Sequence, residues 1–252
     1  MTLTWLPASS AHGARDFEFS GSVRRVTGAV WQPANTGATT PIMLMGHGAS
    51  GDRYQAPIPY LAERFVAAGV AVIAIDGPVH GLRQVGPGGR VAFGQEMARE
   101  GFQDDMVADW HDALKLVRGD TGLTDGRVGY FGLSMGTLLG LPLLASDVTF
   151  TVGVVGLCGT TGAGESCAER LRRDAGEVHH PVLFLMQLED ELFPRDGYLD
   201  LFDALASTDK RLHANPGLHP EVPAEEVDFA FDFLLARLVG DVPRRVMNPL
   251  AE

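Results

Sequence analysis

The chain has 252 residues, enough for one domain or two small ones with a sizeable core, and its 45% hydrophobic and 21% charged residues are ordinary for a globular protein. A formal net charge of -12 argues against nucleic acid or an anionic membrane surface as partner, since both call for a basic patch. Two cysteines, Cys158 and Cys167, are too few for a disulfide framework and lack metal-ligand spacing, so they read as free thiols in a reducing compartment.

From the N-terminus, Met1 to Pro7 has neither a basic segment nor a long apolar one, so no signal peptide is expected. No apolar stretch approaches a membrane span, and the chain reads as cytoplasmic. Short alternating runs, Phe17–Phe19 and Val23–Trp31, predict an antiparallel hairpin. After Pro41 the pattern changes to short continuous apolar runs: Ile42–Met45, Val70–Ile75, Val128–Phe131, Thr151–Leu157, Val182–Met186 and, weakly, Arg211–Ala214. Such runs suit strands buried on both faces of a parallel sheet. Between them lie helical patterns over Ile58–Ala68, Gln95–Val117, Met135–Ala145, Gly164–Arg173, Asp196–Ala206 and Ala224–Leu238. The alternation predicts a doubly wound α/β domain with a mostly parallel sheet, whose ligands bind at the carboxyl ends of the strands.

The strongest motif is Gly132-Leu133-Ser134-Met135-Gly136, a Gly-x-Ser-x-Gly between a predicted strand and a predicted helix. In that setting the chain turns sharply at the serine, the hydroxyl is exposed, and the helix N-terminus offers free N–H groups. Ser134 is therefore the candidate nucleophile. Such a serine needs an acid, a base and an oxyanion hole. The turn after the Val182–Met186 strand carries Glu189, Asp190 and Glu191. Asp190 is the choice for a tight turn closed by Pro194, with Glu189 as rival and three solvated turn charges as the plain alternative. His213 lies within an apolar run, whereas His219 follows a Pro-Gly turn before the last helix and is the candidate base. The order Ser134, Asp190, His219 is one of the chain orders in which such triads occur.

One oxyanion donor is expected to be the Met135 N–H and the other the Ala49 N–H, in Gly46-His47-Gly48-Ala49-Ser50-Gly51 after the first parallel strand. His47 is a candidate substrate contact or second base, or simply a residue that holds the loop. The Gly81–Arg90 loop follows a strand. Its Arg83 and Arg90 either bind a substrate carboxylate or are solvated on a surface loop.

With these parts in place the chain resembles the α/β-hydrolase superfamily over roughly Pro41 to Leu238. The Asp76-Gly77-Pro78-Val79-His80-Gly81 turn is similar to that family's Asp-x-x-x-x-Gly, and Gly46-His47-Gly48 to its oxyanion loop. The closest resemblance is to small esterases of the dienelactone-hydrolase and acyl-peptidase-like group. Dienelactone hydrolases typically carry cysteine as nucleophile, and here the position is Ser134. The resemblance implies a single domain over 1–252 with a minimal cap at about 158–180. It also implies a serine esterase acting on small carboxylic esters without metal or organic cofactor. Acyl-peptidase-like or dienelactone/thioester hydrolysis, and a hydrolase fold used only for binding, are the alternatives.

Overall fold

The computed structural model describes residues 1–7, 12–86 and 88–240, with the Arg90 side chain outside that description. Nine strands form one sheet in the order β1-β2-β3-β5-β4-β6-β7-β8-β9. The first three, β1 (Thr4–Trp5), β2 (Arg15–Ser20) and β3 (Arg25–Trp31), are antiparallel, and β3 meets β5 (Ala71–Ile75) antiparallel as well. From there the sheet is parallel through β4 (Ile42–Gly46), β6 (Val128–Gly132), β7 (Phe150–Gly156), β8 (Val182–Gln187) and β9 (Lys210–Asn215). The hairpin and the doubly wound parallel sheet are as the apolar runs predict; the two-residue β1 is an addition.

The continuous apolar runs follow from two-sided burial. Successive side chains on a strand point to opposite faces. Ile42 and Leu44 of β4 join the core made with α3 (Phe102–Thr121), α4 (Met135–Leu144), α5 (Ala168–Ala175) and α6 (Arg195–Ala204). Met43 and Met45 join the opposite core, made with α1 (Ile58–Ala67) and α7 (Ala224–Val239), where Phe65 and Phe231 pack with centroids 4.7 Å apart.

Two helical expectations change. The helix read over Gln95–Val117 is two helices, α2 (Gly89–Met97) and α3, separated at Gly101 in the left-handed conformation with φ 76°. Apolar periodicity alone does not show such a break, because Phe93 and Phe102 on either side of it join the same core. The helix read over Gly164–Arg173 is a 3₁₀ segment, Gly162–Cys167, followed by the eight-residue α5, whose Leu171 and Ala175 are buried in the core, and the 158–180 interval contains no other helix or strand. The cap is thus minimal, and none of its residues lines the cavity described below.

Candidate active site

The parallel strands β4, β6, β8 and β9 deliver their carboxyl ends to one edge, where the candidate residues meet. Ser134 follows β6 with φ 58°, a conformation costly for any residue with a Cβ, and begins α4. The two motif glycines are required by close approach. A Cβ on Gly136 would lie 2.6 Å from the Gly46 carbonyl oxygen, and one on Gly132 would lie 2.8 Å from the Gly136 oxygen. The turn is braced from below: the Tyr130 hydroxyl donates to Gly136 O (2.6 Å), and Thr137 Oγ1 bridges Gly132 O (2.8 Å) and both polar groups of the Gly156 backbone.

Asp190 and His219 reach this turn from the neighbouring edge of the sheet. His219 Nδ1 lies 2.7 Å from Asp190 Oδ2, and its Nε2 lies 2.9 Å from Ser134 Oγ. An ionised carboxylate only accepts, so Nδ1 carries the proton and the Ser134 hydroxyl donates to Nε2. The Asp190 side chain is fully buried and that of His219 nearly so. Burial pushes the Asp190 carboxyl up, yet hydrogen bonds from His219, Tyr198, Phe193 N–H and Leu192 N–H together outweigh it and hold the group below its ordinary value. The rival acids have other work. Glu189 accepts from Gly217 N–H and Glu191 accepts from His219 N–H at 2.9 Å, so both grip the backbone of the loop that carries the imidazole. His213 lies in β9, with Nδ1 2.7 Å from Glu226 on α7.

In the Gly46–Gly51 loop, Gly48 N–H is engaged by Gln55 Oε1 (2.8 Å) and Gly136 N–H by Leu133 O (2.9 Å). Among the described residues the Ala49 and Met135 N–H groups make no hydrogen bond. His47 holds the loop. Gly77 N–H donates to its Nε2 (2.8 Å), so Nδ1–H donates to Gly48 O (2.8 Å). Burial pushes this imidazole down to about 4, keeping it neutral against the pull of the Gly48 carbonyl. His80 completes the support, with Nδ1 2.6 Å from Pro78 O and Nε2 3.0 Å from Ala49 O. Beneath them Asp76 accepts from Thr27, Leu82 N–H and Arg53, and Arg53 in turn binds Asp16. The Asp76…Gly81 turn is the foundation of the Gly46–Gly51 loop.

A cavity of about 320 Å³ opens over Ser134 and His219. Its walls come from the Gly46–Ser50 loop with His47, from Ile58 at the start of α1, and from Leu133, Leu157, Leu192, Val222 and Val227. Among the described residues no Asp, Glu, Lys or Arg lines it.

The expectation that Arg83 faces a substrate is corrected here. Its side chain is 1% exposed, Nη2 donates to Asp109 Oδ2 (2.6 Å) and Nη1 to Asp76 O (2.8 Å). The glycine-rich segment turns the arginine inward against α3 rather than over the cavity. Arg90, the other arginine of that loop, lies outside the described side chains. Sequence reasoning missed Tyr198, whose hydroxyl donates to Asp190 Oδ2. A tyrosine four residues after Pro194 carries no motif of its own.

Among the described residues no group of three or more His, Cys, Asp or Glu side chains is placed to hold a metal, and no helix is long and apolar enough to cross a membrane. No protein-family model and no curated protein sequence matches the chain. Solved structures do. A cold-adapted esterase from an Arctic intertidal metagenomic library, in a polyethylene glycol complex, is 31% identical with a TM-score of 0.76 over 93% of this chain and 99% of that one. An acetyl xylan esterase from Paenibacillus sp. R4 shares the fold at 15% identity, with a TM-score of 0.69 over 92% of this chain and 87% of that one. An acylaminoacyl peptidase from Pyrococcus horikoshii, also 15% identical, matches 92% of this chain but 43% of its own length, with a TM-score of 0.71. The sheet, the serine turn and near-complete alignment with a 31%-identical esterase together place the chain in the α/β-hydrolase superfamily, among its carboxylesterase-type hydrolases.

Proposed function

We propose that the chain hydrolyses small, neutral carboxylic esters through an acyl-enzyme on Ser134, with His219 as base, Asp190 as orienting acid, and the Ala49 and Met135 N–H groups as oxyanion hole. The observation that carries this reading is the continuous hydrogen-bonded line Ser134–His219–Asp190, at 2.9 and 2.7 Å, at the mouth of an apolar cavity. His219 Nε2 takes the Ser134 proton as Oγ attacks the ester carbonyl. Asp190 stabilises the imidazolium without accepting the proton. The carbonyl oxygen becomes an oxyanion beside two N–H groups that no other group among the described residues engages, each donor being worth about 3 kcal/mol in comparable sites. The imidazolium then protonates the departing alcohol. Water, deprotonated by the same nitrogen, attacks the acyl carbon, and Ser134 leaves with its proton restored.

The cavity argues for the substrate class. At about 320 Å³ it sits at the small end of ligand sites, and its uncharged, mostly apolar lining favours a short neutral acyl group over an anionic one. A serine-reactive organophosphonate followed by peptide mass spectrometry tests the nucleophile. An adduct on Ser134 and loss of esterase activity in Ser134→Ala are expected; labelling elsewhere, or full activity of the variant, overturns the assignment. A panel of p-nitrophenyl esters of increasing acyl length, run beside aminoacyl anilides, tests the class. Short esters should be cleaved best, and faster cleavage of the anilides would move the enzyme to peptides.

A further inference from the structure

Asp190 is saturated. Its Oδ1 accepts from Leu192 N–H (2.7 Å) and Phe193 N–H (3.0 Å), while Oδ2 accepts from His219 Nδ1–H and from the Tyr198 hydroxyl. A carboxylate offers about four lone-pair sites, and all four are taken. Three donors suffice to fix the carboxylate plane. The fourth falls on the oxygen that faces the imidazole.

Tyr198 is held for this contact. It is fully buried on α6, edge-on to Phe184 (6.2 Å) and Phe193 (6.1 Å), and Phe193 also lies against the His219 ring (5.5 Å). The helix start is pinned where Thr160 N–H donates to Gly197 O (3.1 Å). Burial pushes the phenol far above its ordinary value, with the Asp190 contact acting the same way, so the hydroxyl donates and does not ionise.

We propose that Tyr198 is a positioning residue that sets how strongly Asp190 holds His219, a role that rests on Asp190 being the orienting acid. A donor on Oδ2 draws off part of the charge that would otherwise pull on Nδ1–H, and so makes the imidazole a weaker base than an unshared carboxylate would. Among the described residues, the other ionisable groups near this pair are Glu189 and Glu191 from the same turn and Cys158 after β7. The two acids are committed to backbone N–H groups, and burial pushes the thiol up.

The test is Tyr198→Phe, which keeps the ring and removes only the donor. The acid limb of kcat/KM, measured with p-nitrophenyl acetate, should move up by about half a pH unit, and the His219 Nδ1 proton resonance should move downfield. A ring-fluorinated tyrosine introduced at position 198 is a stronger donor and should shift both the other way. A limb and a resonance that stay at their wild-type positions in both proteins, or that shift in the reverse sense, would overturn the proposal, whatever happens to Tm. Asp190→Asn is run alongside. If it keeps full turnover, the assignment of the acid has failed; if it loses turnover while Tyr198→Phe moves nothing, only the role of Tyr198 has.

Discussion

Removing one member of the Arg83–Asp109 pair should unfold this protein at a much lower temperature without altering which esters it prefers. Both side chains are 1% exposed, and the Nη2–Oδ2 distance is 2.6 Å. Burial pushes the Asp109 carboxyl up and Arg83 down, so desolvation outweighs their mutual attraction. Such a pair adds little net stability over an apolar filling, but breaking it leaves a buried charge uncompensated. Arg83 Nε already has no partner among the described residues, so Asp109→Ala leaves the guanidinium only the Asp76 carbonyl. The expected cost is about 3–5 kcal/mol. At roughly 2–4 °C per kcal/mol for a domain of this size, Tm should fall by about 6–20 °C. Thermal unfolding followed by circular dichroism measures the loss. Kinetics well below Tm, with a neutral ester and an anionic hemisuccinate ester, measure the preference. The double variant Arg83→Met/Asp109→Leu should recover most of the stability. A fall in Tm of under about 2 °C for Asp109→Ala would refute the reasoning, and a KM rise confined to the anionic ester in the double variant, which lacks Arg83, would return Arg83 to the substrate.

Asp190→Asn should lower kcat by about 10⁴ with the fold intact, and Glu189→Gln far less, because Glu189 meets the Gly217 backbone; stopped-time ester assays decide, and a reversal of the two exchanges their roles. Gly136→Ala should cost about 1–3 kcal/mol and displace the Gly46–Gly51 loop, since the new Cβ meets the Gly46 backbone; a wild-type kcat would show that β4 and α4 separate freely. The Asp190 carboxyl is held below its ordinary value when folded, so it contributes stability above the unfolded pKa of about 3.9, and that contribution is lost as pH falls through the folded value. Tm recorded from pH 6 down to pH 2 should therefore drop more steeply for the wild type than for Asp190→Asn.

Ser134, Asp190 and His219 are legible before folding because each is announced by its own backbone: glycines flanking a strand-to-helix turn, an acid in a turn closed by Pro194, a histidine after Pro-Gly. Five of the six parallel strands are legible because two-sided burial leaves continuous apolar runs; β9, whose residues are only partly buried, leaves a weak one. What stays hidden depends on partners distant in the chain. Nothing near Arg83 says that Asp109, on the far side of a helix break, will meet it. Tyr198 resembles any core aromatic until Asp190 is placed beside it. Glu189 reads as a rival acid, and Glu191 as a solvated turn charge, because their partners are N–H groups of another loop, which no side-chain pattern reports.

The sheet order has a consequence for how the enzyme loses activity. Ser134 and the Gly46–Gly51 loop hang from β6 and β4, adjacent strands with every residue buried, whereas His219 follows β9, the last strand, none of whose residues is fully buried. Amide hydrogens near His219 should therefore exchange through local opening at a lower free energy than those of the serine turn. Each such opening withdraws the imidazole while the rest of the molecule stays folded. On warming, ester hydrolysis should fade reversibly before the cooperative unfolding transition begins, so the temperature at which activity is lost reports the sheet edge and not its centre.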